Sequence, residues 1–198
     1  MATPSTKIFQ FKISLLETKP LIWRRIQLPS NLNFEDLHKA IRDAMGWNSS
    51  HLHLFYASKG KPKRNFVIGS SSADWDDDNI MPEKITNITK FFTKVCDEVI
   101  YEYDLGDSWR HKIRLEKILP SEPGTFYPKC ISGKRACPPV DVGGVEGFNG
   151  LLNILSHPEH EEYESYYRWL HDYMGYNEYN VEMFDPNEVK FEAKYIID

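Results

Sequence analysis

Residues 99–119 constrain the fold most strongly, because they contain two alternating runs joined by a short polar turn. Apolar residues occupy every second position over 99–103 and again from Trp109 onward, which is the pattern of strands with one buried face. The turn, residues 104–108, contains Gly106, and glycine readily adopts the positive φ that tight turns need. The segment therefore predicts a β-hairpin with a positive φ at Gly106.

The second strand of this hairpin carries a histidine on its apolar face. The residues that share this face by the period of two are Trp109, His111, Ile113 and Leu115. We therefore expect His111 to point towards the core close to the turn. Two interpretations stay open: a buried imidazole bonded to a backbone carbonyl or a nearby aspartate, or a ligand or general base oriented by Asp104 or Asp107.

The composition favours a globular chain with no general affinity for polyanions. The 198 residues suit one domain, 1–198, that is rich in strands over 7–119 and built of a loop and helices over 120–198. Twenty-four basic against 29 acidic residues give a formal net charge of −5. Duplex DNA and anionic membranes draw most of their binding from Lys and Arg, so we expect neither as a partner. The one basic block is Lys59–Arg64.

The chain carries no sequence signal for a membrane or for export. Its apolar runs fall well short of the ~20 residues that span a bilayer, and its first residues lack the apolar core of a secretory leader. Its three cysteines are an odd number, which favours reduced thiols over a disulfide framework. These features predict a cytoplasmic protein.

Periodicity predicts an α+β fold, with a mixed or mostly antiparallel sheet, helices packed on it and a helical C-terminal part. Strands are expected over residues 7–16, 21–28 and 51–57, besides the hairpin. Helices are expected over 34–45, 148–155 and 163–173, with a last short one opening at Asp185-Pro186. The first helix has a capping box from Asn33 to Asp36 and a stop at Gly46.

A long segment after the hairpin, residues 120–147, is rich in Pro and Gly and is predicted to be an ordered loop. We hypothesise that its part Cys130–Gly144 folds over the hairpin turn and brings Arg135 or Asp141 close to Asp104, Asp107 and His111. Gly143 and Gly144 would allow a sharp return and offer backbone N–H groups to an anion. Because two close carboxylates repel, a cation is expected between Asp104 and Asp107: Arg135, protonated His111 or a metal ion.

Several segments together resemble the plasmid pRiA4b ORF-3-like family. They are Pro20–Arg25 (PLIWRR), Phe34–Trp47, Tyr101–Glu116 (YEYDLGDSWRHKIRLE), Cys130–Gly144 and Phe184–Pro186. Where that family usually has a glutamate before the aspartate of its Pro-Pro-Glu-Asp motif, this chain has Val140. The resemblance implies one α+β domain of unknown function, with members on mobile elements and some labelled transposon resolvases. This chain lacks the arginine-surrounded serine and basic DNA-binding domain of such a resolvase.

The sequence is compatible with three functions, and it does not decide whether the protein is an enzyme. The first is a binding module for a small ligand or a protein partner, with Arg135 as an anion contact and Trp109 as a wall. Its candidate residues are Asp104, Asp107, Trp109, His111, Arg135, Asp141, Gly143 and Gly144.

The second function is a metal-dependent hydrolase that holds a divalent metal at the same place. Its candidate ligands are Asp104, Asp107, His111 and Asp141, with thiolates from Cys130 and Cys137 in addition. Six residues separate the two cysteines, more than the usual zinc spacing. His51 and His53 share a strand face and offer another pair of ligands, whereas His38 is interpreted as a packing residue. The third function is a mobile-element-associated nucleic-acid protein that uses Lys59–Arg64.

Overall fold

The computed structural model describes residues 6–47, 51–70 and 80–196. The strands are β1 Lys7–Leu15, β2 Trp23–Pro29, β3 His53–Lys59, β4 Arg64–Gly69, β5 Ile80–Pro82, β6 Glu98–Tyr103, β7 Trp109–Pro120, β8 Phe126–Tyr127, β9 Lys129–Lys134 and β10 Tyr195–Ile196. The helices are α1 Phe34–Met45, α2 Gly144–Leu155 and α3 Tyr163–Arg168, and α3 continues as a π-helical segment, Trp169–Tyr173. Ile88–Lys90 and Pro186–Glu188 are 3-10 turns.

The main sheet confirms the α+β prediction. Its strand order is β5-β4-β3-β6-β7-β1-β2-β9, and β8 pairs with β10 separately. Every pairing in the main sheet is antiparallel except that of β4 with β5, so the sheet is mixed. The two N-terminal strands, the strand after α1 and the 98–120 hairpin share this one sheet, as the alternating patterns predict.

Helix α1 begins and ends where the sequence predicts. The side chain of Asn33 accepts a hydrogen bond from the backbone N–H of Asp36 at 2.9 Å, and the Asp36 carboxylate accepts from the N–H of Asn33 at 3.2 Å. Gly46 ends the helix at φ +87. Residues at helical spacing are fully buried on the sheet side, among them Phe34, Leu37 and Ile41. Their burial joins the helix to the core.

Residues 120–147 differ from the prediction of a loop without regular structure. They contain β8 and also β9, which extends the main sheet by pairing with β2. A strand at a sheet edge takes its geometry from backbone hydrogen bonds to one neighbour, and it has no need for an alternating apolar pattern. Residues 121–125 and 135–143 remain loops, and the second of them runs from this edge to the hairpin turn.

The hairpin turn also differs in detail from the prediction. The positive φ angles fall on Asp104 (φ +57) and Ser108 (φ +52) rather than on Gly106. Asp is one of the few side chains that tolerate this region, because its short carboxylate can bond to the local backbone. Among the residues described, no helix is both long and apolar enough to cross a membrane.

Candidate functional site

Asp104 divides its two carboxylate oxygens between the turn and a histidine. Oδ1 accepts backbone N–H bonds from Gly106 at 3.0 Å and from Asp107 at 3.4 Å. Oδ2 lies 3.3 Å from Nδ1 of His51, which precedes β3. The first oxygen therefore holds the turn, and the second is left to face a neighbouring segment.

The 141–144 loop lies directly on this turn. Asp107 accepts a hydrogen bond on Oδ2 from the backbone N–H of Gly143 at 3.2 Å. Gly143 and Gly144 have φ +89 and +67, and a Cβ at Gly144 would lie 2.6 Å from the carbonyl oxygen of Asp107. The glycine pair thus gives the sharp return that the sequence suggests, and the anion it meets is the protein's own carboxylate.

Three side chains from separate segments meet at this junction: His51, Asp104 and Asp141. Nε2 of His51 lies 3.6 Å from Oδ1 of Asp141, while its Nδ1 faces Asp104. One potential ligand atom from each residue falls within 4.8 Å of the others. Within the described parts of the chain, no other group of three His, Cys, Asp or Glu side chains meets this spacing. Asp141 has φ +58, so both aspartates occupy backbone conformations that side chains rarely adopt.

A pocket of about 310 Å³ adjoins this cluster on the side of His51. Within it, the rings of His38 and His53 stack in parallel with 3.5 Å between their centroids. Nε2 of His53 lies 2.7 Å from Oε2 of Glu83, and both side chains are nearly buried. Nδ1 of His38 lies 2.7 Å from the hydroxyl of Tyr101. Each of the two stacked histidines is therefore bonded to a buried polar side chain, His38 to Tyr101 and His53 to Glu83.

Burial and like charge keep His38 neutral in this stack. Burial, reinforced by the like charges of His53, Arg42 and Lys39, lowers the pKa of His38 to about 2. Burial also raises the pKa of Tyr101 well above its usual value, with Tyr103 and Glu83 acting in the same direction. The bond between His38 and Tyr101 is consequently one between neutral groups near pH 7.

A second cavity, of about 300 Å³, adjoins the cluster on the side of Asp141. Its other lining residues are Val142, Ser165, Tyr166 and Trp169, so aromatic side chains from the α3 region stand beside the carboxylate. The cluster is thus flanked by a polar pocket and by an aromatic one.

Comparison with known proteins identifies the family. The model of the plasmid pRiA4b ORF-3-like protein family matches residues 7–191. The chain belongs to this family. The resemblance noted in its sequence motifs is therefore confirmed.

Two known proteins are similar to this chain over most of its length. "Uncharacterized protein y4hQ" of Sinorhizobium fredii is 30% identical over 141 residues, which are 71% of this chain and 69% of that protein. The crystal structure of "Protein of Unknown Function MM3350" from Methanosarcina mazei Go1 is 41% identical, with a TM-score of 0.84. That comparison covers 94% of this chain and 99% of the other. The family and its fold are therefore shown, and neither relative's description names a ligand or a reaction.

His111, from the family's hairpin segment, is in the core as its position on the apolar face predicts. It is 0% exposed, with Trp47 and Tyr101 rings 5.4 Å from its own. Burial lowers its pKa to about 4, against the opposing influence of backbone groups of Tyr101 and Trp109. Neither ring nitrogen reaches a partner with good hydrogen-bond geometry in the described structure. Neither Asp104 nor Asp107 orients it, so the expected role as an oriented base does not follow.

Trp109 and Arg135 also lie away from the cluster. Trp109 is 1% exposed and packs near Trp47 and Phe148, so it is a core residue rather than a pocket wall. Arg135 donates to Glu182 at 2.8 Å and to the carbonyl of Pro20 at 2.6 Å. Its guanidinium is therefore used at the far end of the loop. The side chain that faces Asp104 is His51, and Asp141 rather than Asp107 lies on the other side of that imidazole.

The two family cysteines do not join Asp104 and His111 in a metal site. Cys137 is buried, and burial raises the pKa of its thiol to about 12. Cys130 is half-buried, its pKa is raised by burial, and its Sγ lies 3.7 Å from the carbonyl of Ser132. Both thiols stay protonated near pH 7 because burial raises their pKa values. Neither joins the group of side chains at the turn, to which the loop brings Asp141 and Gly143.

The sequence pointed to only some of the residues that line the pocket beside the cluster. His51 and His53 line one pocket, as their shared face suggests, but each has its own carboxylate partner. His38, interpreted as a packing residue, lines the same pocket. Glu83 carries no sequence signal of its own, since it is an isolated glutamate brought to His53 by the chain after β5.

Proposed function

We propose that this protein is a small-ligand-binding module whose site, at the Asp104–His111 turn and the Cys130–Gly144 loop, is built on a divalent cation. The proposal rests on one observation: His51, Asp104 and Asp141 present ligand atoms within 4.8 Å of each other. One imidazole with two carboxylates is a ligand set that suits zinc, manganese or iron.

The arrangement of these ligands supports a site open to a further molecule. Three protein ligands leave coordination positions free, as in metal sites that bind a ligand or a water. Asp104 is 14% exposed and His51 28%, so they are held in the protein, whereas Asp141 is 67% exposed. The two flanking pockets provide space for the body of the ligand.

The alternative to a metal is that protonated His51 alone balances the two carboxylates. Its two nitrogens lie 3.3 and 3.6 Å from Asp104 and Asp141, which is compatible with such a pairing. The two possibilities differ in one measurable respect, since only the first predicts stoichiometric metal.

The test is elemental analysis of the purified protein, followed by titration of the metal-stripped protein with Mn²⁺ and Zn²⁺ by calorimetry. About one equivalent is expected to bind. The variants Asp104→Asn and Asp141→Asn should each weaken binding by at least about tenfold, which is what loss of even an outer hydrogen-bond partner can cost. Absence of binding at millimolar metal, or binding by both variants as tight as by the parent protein, would show the proposal to be wrong.

The matched control is Asp172→Asn. Asp172 forms an exposed pair with His171 at 2.9 Å, distant in sequence from all three ligands, and its loss should leave metal affinity unchanged.

A metal-dependent hydrolase is the second candidate, and the buried pair of His53 and Glu83 favours it. An imidazole held by a carboxylate beside a metal-bound water is an arrangement that metal-dependent hydrolases use. Turnover of a p-nitrophenyl phosphate or acetate substrate by metal-loaded protein, lost in Asp104→Asn, would support this candidate. A loaded protein without turnover on either substrate would leave the binding module as the better account.

A further inference from the structure

Arg24 in β2 is buried without a carboxylate partner. It is 1% exposed, and within the described residues no Asp or Glu oxygen lies within 4.0 Å of its guanidinium. Its neighbour Arg25, on the opposite face of the strand, pairs with Glu116 at 2.6 and 2.9 Å. Buried charges are normally paired, so Arg24 requires an explanation.

The hydrogen bonds of Arg24 account for only part of its donors. Nε donates to the carbonyl of Ala44 at 2.9 Å, and Nη1 donates to the carbonyls of Trp23 at 3.0 Å and Lys134 at 3.1 Å. Its Nη2 has no hydrogen-bond acceptor among the residues that the structure describes, although it carries N–H donors. The three carbonyls fix the guanidinium to the C-terminal end of α1, to β2 and to β9. They leave Nη2 without an acceptor in the described part of the chain.

The guanidinium faces a cavity of about 840 Å³. Phe184 lies against it, with 3.7 Å from the guanidinium carbon to the ring centroid. The other walls include Met45, Trp47, Pro138 and Tyr176. These apolar side chains stand beside a fixed guanidinium, and small-molecule sites usually combine apolar walls with a few fixed polar groups.

Acidic residues on the cavity wall restrict the charge of an occupant. Asp43 and Glu192 both bind Arg42, Glu182 binds Arg135, and Asp185 caps the turn that follows it. Glu188 and Lys190 add one charge of each sign. Asp43, Glu182, Asp185 and Glu192 have these partners and do not neutralise Arg24. The acidic groups of the wall, Glu188 included, would repel a dianion more strongly than a monoanion.

We propose that this cavity binds a small molecule with a single carboxylate on an apolar body, and that the carboxylate accepts hydrogen bonds from Nη2 of Arg24. Guanidinium groups bind carboxylates through strong, charge-assisted hydrogen bonds. The apolar body lies against Trp47 and Phe184. This site is independent of the cation cluster at the hairpin turn.

The test uses 3-phenylpropionate as the probe and follows the amide spectrum of the whole chain by NMR. The neutral control is 3-phenylpropanol, and inorganic phosphate tests the exclusion of a dianion. Binding of the carboxylate is expected at millimolar or lower concentration, with the alcohol weaker by at least about tenfold, because a hydrogen bond to a charged group is worth about that factor or more.

Two variants locate the binding. Arg24→Lys keeps the charge and removes Nη2, so it should weaken binding of the probe by about tenfold or more, whereas Arg25→Lys on the other face should not. If Arg24→Lys does not fold, Ala136→Leu serves instead, since Ala136 lines the cavity and a larger side chain there should block the probe. No shift with the carboxylate, or equal shifts with the alcohol, would overturn the proposal and mean that water satisfies Nη2. Phosphate binding as strongly as the carboxylate would overturn the proposed ligand class.

Discussion

The backbone N–H of Gly143 donates to Oδ2 of Asp107 at 3.2 Å, and this bond joins the 141–144 loop to the hairpin turn. Residues 36 apart in sequence are thereby held together at the point where His51 faces Asp104 and Asp141. The geometry of the candidate cation site depends on this contact, because Asp141 lies two residues before Gly143. The first two predictions concern this junction.

Gly144→Ala should destabilise the protein by about 1–3 kcal/mol, because the new methyl group would lie 2.6 Å from a backbone oxygen at a φ of +67. Denaturant unfolding measures the effect. Gly150→Ala is the control, since it lies within α2 with nothing within 4 Å of the new methyl, and should be neutral or stabilising by up to about 1 kcal/mol. Equal effects of the two substitutions would contradict the tight approach of loop and turn.

Asp107→Ala should weaken metal binding by roughly tenfold while leaving all three proposed ligands in place. The physical reason is that Asp141 loses the support of the bond to Gly143. Calorimetry measures the affinity, and faster hydrogen exchange at the Gly143 amide reports the freed loop independently. Unchanged exchange at Gly143 would mean that this bond does not hold the loop.

His111 should make stability fall with acidification. Its folded pKa of about 4 lies below the unfolded value of 6.5, so between these values the unfolded chain binds more protons and stability decreases as pH falls. The loss attributable to this residue between pH 7 and pH 4 is about 3 kcal/mol.

His111→Leu is expected to remove that part of the pH dependence. At pH 7 the variant should be nearly as stable as the parent or more stable, because the imidazole nitrogens it removes have no well-formed partner. Denaturant unfolding across this pH range measures both. The same pH dependence in both proteins would refute the assignment.

Asn33→Ala should cost about 1–2 kcal/mol, because it removes the acceptor for the Asp36 amide in the capping box of α1. Asn31→Ala is the control, since the described contact of Asn31 uses its backbone carbonyl, which the substitution retains. Thermal unfolding distinguishes the two, and a loss of similar size at both positions would argue against the cap.

Duplex DNA should bind weakly or not at all at about 0.15 M salt, since the chain is net acidic and its basic block is confined to the β3–β4 connection. Gel-shift assays test this. Any residual binding should disappear when Lys61 and Lys63 are both changed to Gln. Sequence-specific binding at nanomolar concentration would instead favour the mobile-element-associated function.

Local sequence features determined much of the fold. The alternating runs on either side of residues 104–108 are the β6–β7 hairpin, and the Asn33 cap and Gly46 stop define α1, because capping and strand periodicity depend on residues within a few positions of each other. The mixed sheet and the buried face of α1 follow from the same patterns. Gly106 shows the limit of such reasoning, since the positive φ angles lie at Asp104, whose side chain bonds to the turn, and at Ser108, whose side chain bonds to Glu102.

Only the tertiary structure decided which polar groups meet. Asp104 was identified from its turn, and Asp141 was one of two loop residues expected near it. The choice of Asp141 over Arg135, and the arrival of His51 between the two aspartates, depend on strand pairing and on the Gly143–Asp107 bond, which no local spacing encodes. Arg24 and Glu83 are further examples. Arg24 donates to the carbonyl of Lys134 and Glu83 bonds to His53, and both partners are remote in sequence. Periodicity shows which side chains face inward, whereas the partner of a buried charge depends on long-range packing of the whole sheet.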